Sequence, residues 1–141
     1  MKLVVDTNIV FSALLNANNR MVEVLLNPES AFDFFAPDYL RIELQKYEKK
    51  LGDTSNLSAI NLREASAKII DRLTLISESL ISENSWNEAF ELTNDIDEGD
   101  TPFVALAIDL KCKLWTGDKK LIKGLIDKGS DVAIDTKQLN A

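Results

Sequence analysis

Short apolar runs and helical patterns alternate along the whole chain, and this alternation restricts the fold more than any other feature of the sequence. Residues 2–6 (KLVVD), 31–35 (AFDFF), 73–77 (LTLIS), 112–116 (CKLWT) and 131–135 (DVAID) read as strands. Helical spacing of apolar residues fills the gaps between them. One helix covers 9–15, and a second covers 21–26 and stops at Asn27-Pro28. A third is capped by Asp38, carries Leu40, Leu44, Tyr47 and Leu51 on one stripe, and ends at Gly52. A long helix spans 57–71. Ser85-Trp86-Asn87-Glu88 forms a capping box for a helix that runs to Asn94. Thr101-Pro102 opens an apolar helix reaching Leu110, and a Lys-rich helix starts at Lys119. Strands separated by helices pair in parallel with helices on both faces. The expectation is a single α/β domain over residues 1–141. It should have three layers, α/β/α, around a mostly parallel sheet of about five strands with the first strand central.

The chain of 141 residues contains no histidine and one cysteine, Cys112. A Ser-His-Asp triad, a Cys-His pair, His-liganded zinc and imidazole acid–base chemistry are therefore excluded, as is an intrachain disulfide. Catalysis here must rest on carboxylates, hydroxyls, lysines or a metal held by oxygen. No apolar run approaches the length of a membrane span, and the expected location is the cytoplasm. The net charge of −7 argues against a nucleic-acid partner at first sight. Its distribution weakens that argument: residues 78–100 hold eight acids and no base, while residues 101–141 hold seven Lys against five Asp.

In parallel α/β sheets, sites gather at the carboxyl ends of the strands. Asp6 ends the first strand and is followed by Thr7-Asn8 at a helix start. Asp118 lies two residues past the fourth strand, after Thr116-Gly117, where the glycine allows a tight turn. Asp100 stands at the entrance of the apolar helix beside Asp95, Asp97 and Glu98. Each alone can be read as a helix cap. Glu43, next to an apolar stripe, says little alone. Together they are carboxylates that cannot all stay ionised without a cation, and oxygen-only ligands select Mg²⁺ or Mn²⁺. Such a site suits phosphodiester hydrolysis.

Asp6-Thr7-Asn8 after an apolar strand, DIDEGDTPFVALA at 95–107 and LWTGD at 114–118 resemble, in order and spacing, the signature segments of PIN domains. The resemblance covers essentially the whole chain. It implies a metal-dependent ribonuclease directed at single strands, with Asp6, Glu43, Asp100 and Asp118 as catalytic and metal-binding acids. It also implies that Asn8 and Thr116 orient the carboxylates. Many relatives are toxins of toxin–antitoxin pairs, which makes an antitoxin protein a candidate partner beside the RNA substrate; a homodimer is also compatible. Where the family often has a further acid two residues after the fourth, this chain has Lys120. Lys119, Lys120 and Lys123 follow Asp118 and are candidate contacts for the phosphate backbone. Of the two acids in the loop, Asp100 is expected to be the third core ligand, because it is held at a rigid helix entrance, and Asp97 to play a supporting role.

Two other classes fit less well. A haloacid-dehalogenase-like phosphatase would need an acid two residues after Asp6, where Asn8 stands, and a receiver domain would need an early acidic pair. A non-catalytic module that binds nucleic acid or protein shares the fold but has no need of four intact acids.

Overall fold

The structure, a computed structural model, describes residues 1–15, 20–54 and 59–139. Among the described residues five strands form one sheet: β1 (Lys2–Val5), β2 (Asp33–Pro37), β3 (Leu73–Ile76), β4 (Lys113–Trp115) and β5 (Ala133–Ile134). Their order is β3-β2-β1-β4-β5 and every pairing is parallel, so β1 is central as expected. In the central strands Leu3, Val4, Val5, Leu114 and Trp115 are all buried, with no alternation. Both faces of that part of the sheet are covered by helices, which is why these runs read as continuously apolar.

The helices are α1 (Thr7–Leu15), α2 (Arg20–Leu26), α3 (Tyr39–Thr54), α4 (Ala59–Ile70), α5 (Glu83–Thr93), α6 (Thr101–Leu110), α7 (Lys119–Asp127) and the short α8 (Thr136–Leu139). α1 packs on α2, α3 and α4, whereas α6 lies across β1, β2 and β4 with α5 against it. Phe103, Val104, Ala105, Leu106 and Ala107 of α6 are all buried. A helix apolar on nearly every side belongs inside, and here it lies between the sheet and α5. α7 is amphipathic: Leu121 and Leu125 are buried, while Lys119, Lys120 and Lys123 are exposed.

Several boundaries differ from the sequence expectation. β2 begins two residues late because Ser30 turns the chain, its hydroxyl accepting from the Phe32 amide, and it extends through Pro37. α5 starts at Glu83 rather than at Ser85. Its cap is Ser82, whose Oγ accepts from the Ser85 amide, while the Ser85 hydroxyl donates to Asp109 at 3.0 Å. The SWNE segment thus lies inside the helix, from its third residue onward, rather than forming its capping box. α3 runs through Gly52 to Thr54, since a glycine inside a helix costs only about 1 kcal/mol against the turns on either side. The side chain of Leu51 and positions 57–58 of the expected long helix lie outside the described residues.

The start of α3 carries an unexpected cap. The amide of Tyr39 donates to the Glu78 carboxylate at 2.7 Å, and the amide of Asp38 donates to the Ile76 carbonyl at 3.0 Å. The helix holding Glu43 is thereby tied to the carboxyl end of β3 by a negative charge at its positive end.

Candidate active site

The chain leaves β1 for one edge of the sheet and returns to β4 on the other side, so the crevice between β1 and β4 is the topological switch point. Asp6 stands there, only 6% exposed, with its amide donating to the Trp115 carbonyl at 2.9 Å. Thr116 organises the crevice. Its hydroxyl donates to Asp6 Oδ2 at 2.7 Å and accepts from Asn8 Nδ2 at 3.2 Å and from the Asp118 amide at 3.1 Å. Asn8 Oδ1 in turn accepts from the Gly117 amide at 3.0 Å. The two sequence segments on either side of the switch point are thus joined through Asn8 and Thr116. Asp118 caps α7, its Oδ1 accepting from the Leu121 amide at 3.1 Å.

Gly117 does not have the role expected from the sequence. Its φ lies outside the left-handed region, and a Cβ there would meet Asn8 Oδ1 at 3.7 Å, an ordinary contact. The turn comes from the Thr116 and Asn8 hydrogen bonds, not from the freedom of glycine. Gly124 matters more: a Cβ on it would stand 2.5 Å from Ile96 Cδ1. The bare backbone of α7 therefore lets the acidic loop pack closely beside the helix that carries Asp118.

Asp97 and Asp100 differ sharply. Asp97 is exposed and uses its side chain on the Gly99 amide at 2.9 Å, capping a short 3-10 turn (Glu98–Asp100). Asp100 occupies the cap position of α6 but makes no side-chain cap bond, and its Oδ2 is buried with no hydrogen-bond partner. Simple capping, the ordinary explanation for an Asp in that place, does not apply. Its neighbour Thr101 is fixed from below. Because Thr93 Oγ1 donates to the Ala89 carbonyl, Thr101 donates to Thr93, across 2.6 Å.

Glu43 reaches the site through a residue the sequence reading passed over. The Thr7 hydroxyl donates to Glu43 Oε1 at 2.8 Å, linking α1 to α3 directly beside Asp6. The signal was a hydroxyl between Asp6 and Asn8 on the first turn of a helix.

The electrostatics show the carboxylates acting on one another. Burial pushes the Asp6 carboxyl up to about 6, opposed by the Thr116 hydrogen bond and reinforced by Glu43 and Asp118. Burial first, then the charges of Asp6, Asp97, Asp118 and Glu43, push Asp100 up to about 8. Burial also raises Glu43, with the Thr7 hydrogen bond opposing it. As the side chains are placed, no three acids among the described residues stand close enough to enclose one ion. The donor set nevertheless suits a hard divalent cation: oxygen ligands only, mutually repelling, with one buried carboxylate oxygen unsatisfied.

The sequence matches the PIN domain family over residues 4–136. The chain belongs to the PIN domain family. Solved structures with a similar fold include VapBC2 from Rickettsia felis bound to a DNA fragment from their promoter. It is 19% identical, covers 96% of this chain and 98% of that one, and has a TM-score of 0.73. PAE2754 from Pyrobaculum aerophilum is 12% identical, with 99% and 86% coverage and a TM-score of 0.69. No curated protein matches the chain. The five-stranded parallel sheet is thus the PIN fold, and its carboxylates stand at the carboxyl ends of the central strands. A cavity of 870 Å³ opens at the opposite, amino ends of the strands, among Lys2, Cys112 and Lys113. The carboxylates gather at the other end, where sites form in parallel α/β sheets. Among the described residues no helix is long and apolar enough to cross a membrane.

Proposed function

We propose that the chain is a ribonuclease that hydrolyses single-stranded RNA with Mg²⁺ or Mn²⁺ held by Asp6, Glu43, Asp100 and Asp118. The observation that carries this reading is Asp100: a carboxylate at a helix entrance that caps nothing, has a buried oxygen without a partner, and is loaded with the repulsion of four other acids. A cation is what such a group lacks. When bound, a divalent ion supplies a Lewis acid for the phosphoryl oxygen and a water of lowered pKa.

The chain's own residues do the positioning. Thr116 and Asn8 hold the Asp6 carboxylate and the turn before Asp118 in one arrangement, and Thr7 holds Glu43. Asp97, occupied with the Gly99 amide, takes an outer role. With no histidine in the chain, protons at the reacting oxygens pass through carboxylates and water. Lys119, Lys120 and Lys123 line the exposed side of α7 just past Asp118 and would meet the phosphate backbone. An antitoxin protein as partner, in the cytoplasm, is supported by the fold shared with VapBC2, and a homodimer is part of the same proposal.

The test is cleavage of a mixed RNA pool with Mn²⁺, with chelator, and with Asp6→Asn. The expected result is cleavage only by the wild-type chain with metal. Activity retained in Asp6→Asn would place the chemistry elsewhere, and RNA binding without cleavage would make the chain a binding module. A Lys119→Gln, Lys120→Gln, Lys123→Gln variant should bind RNA more weakly. The slope of log K against log salt should flatten by about two, at roughly 0.7 per phosphate contact on a single strand. An unchanged slope would leave the three as ordinary surface lysines.

A further inference from the structure

Beside Glu43 a surface groove of 230 Å³ opens between α1 and α3, lined by Phe11, Tyr39, Glu43, Lys46, Tyr47 and Lys50. The helical spacing accounts for its make-up. On α3, Tyr39, Glu43, Lys46, Tyr47 and Lys50 recur every three or four residues and share one face. On α1, Thr7 and Phe11 are four apart and share the facing side. The core-facing stripe of α3 is a different one, carried by the buried Leu40 and Leu44. Tyr39, Tyr47 and Phe11 are only half-buried. The rings of Phe11 and Tyr47 stack with centroids 3.6 Å apart and planes 20° apart, while Tyr39 meets Phe103 edge-on at 6.4 Å.

We propose that this groove is a base-stacking subsite, where one base of a single-stranded RNA lies against the Tyr39 and Tyr47 rings and the adjoining backbone lies along Lys46 and Lys50. The proposal rests on the ribonuclease reading of the neighbouring acids and assigns residues that reading leaves unused. Flat aromatic faces with flanking lysines match the two halves of a nucleotide, the base and the phosphate. The need is real, because the protein carries a net charge of −7 and the carboxylates themselves repel a polyanion. Lys46 and Lys50 lie on the Glu43 side of the acids and Lys119, Lys120 and Lys123 on the Asp118 side, so a strand crossing the site meets cations on both flanks. The groove is on the scale of a single base and its sugar, which agrees with a substrate whose bases are unpaired. The Phe11–Tyr47 stack also joins α1 to α3, but that task needs only apolar bulk, which leucine would supply, and no lysines.

The experiment uses the Asp6→Asn chain, expected to bind without cutting, and single-stranded oligoribonucleotides carrying 2-aminopurine at each position in turn. Quenching at one position, with Tyr47→Leu in the same background restoring the fluorescence and raising Kd about tenfold, is the expected result. Tyr39→Leu, which leaves the Phe11–Tyr47 pair in place, should act in the same direction and covers the case in which Tyr47→Leu does not fold. Lys46→Gln with Lys50→Gln should lower the salt dependence and keep the quenching. If the wild-type chain cleaves RNA while both tyrosine variants bind and quench as before, the subsite is overturned and the ribonuclease reading stands. If quenching depends on the tyrosines but the wild-type chain cleaves nothing with Mn²⁺, the subsite stands and the ribonuclease reading falls. Absence of oligonucleotide binding overturns the subsite, and the ribonuclease reading falls with it only if the wild-type chain also cleaves nothing.

Discussion

Asp100→Asn is expected to lower RNA cleavage by about 10³-fold, the scale seen when a preorganised electrostatic group at a reacting centre is removed, and Asp97→Asn by only about tenfold. The two acids are neighbours in one loop, so the difference must come from what each side chain already does. Asp97 is exposed and satisfied by the Gly99 amide. Asp100 has a buried oxygen with no partner and stands on α6, whose first residue is fixed through Thr93. Single-turnover cleavage of a defined oligoribonucleotide measures both. The reverse ranking would move the ligand role to Asp97.

The metal-free protein is expected to lose stability as pH rises from about 4 to about 9, by roughly 2–4 kcal/mol after allowance for the partial exposure of Asp100. The sign follows from the direction of the shifts. Asp6 and Asp100 are raised to about 6 and about 8 from an ordinary value of 3.8, so between those limits the folded chain holds protons that the unfolded chain has released. Stability falls wherever the folded state binds more protons, and the fall ends above the folded value of Asp100. Asp100→Asn should remove the part of the slope above about pH 6 and make the metal-free protein more stable than wild type at pH 9. Millimolar Mn²⁺ should raise the wild-type melting temperature, and most strongly at high pH, where the carboxylates need no proton displaced. Urea midpoints across the pH range test this. A flat profile in metal-free wild type would mean that neither burial nor mutual repulsion raises these carboxyls.

Much of this arrangement was legible in the sequence because parallel strands buried on both faces have an unambiguous pattern. Leu3 to Val5 and Leu114 to Trp115 read as strands without alternation, and their carboxyl ends mark the switch point. Asp6 and Asp118 could be placed from that alone. What could not be read was which hydrogen bonds an oxygen makes. Asp118 and Asp100 are both acids at helix entrances, yet one caps the helix and the other does not. Local sequence is the same in kind for both, and only the placement of each carboxylate in the folded chain separates them. The same limit applies to Ser82 and Ser85, where a hydroxyl with the right spacing lost the cap to one three residues earlier. Glu43 gave no signal of its own, since its place in the site depends on Thr7, 36 residues away in sequence. The Glu78 cap on α3 is likewise a contact between distant segments that no periodicity encodes.

The central claim is that these carboxylates form a site completed by a divalent cation. Calorimetric titration with Mn²⁺ at pH 7, repeated in buffers of different ionisation heat, tests it most directly. Asp100, with its carboxyl near 8, is mostly protonated at pH 7 without metal, and Asp6, near 6, is mostly ionised. Binding is therefore expected to release about one proton per ion in the wild-type chain and almost none in Asp100→Asn, with much weaker affinity in the variant. Mn²⁺ binding with no proton release, or binding of equal strength in Asp100→Asn, would contradict the account.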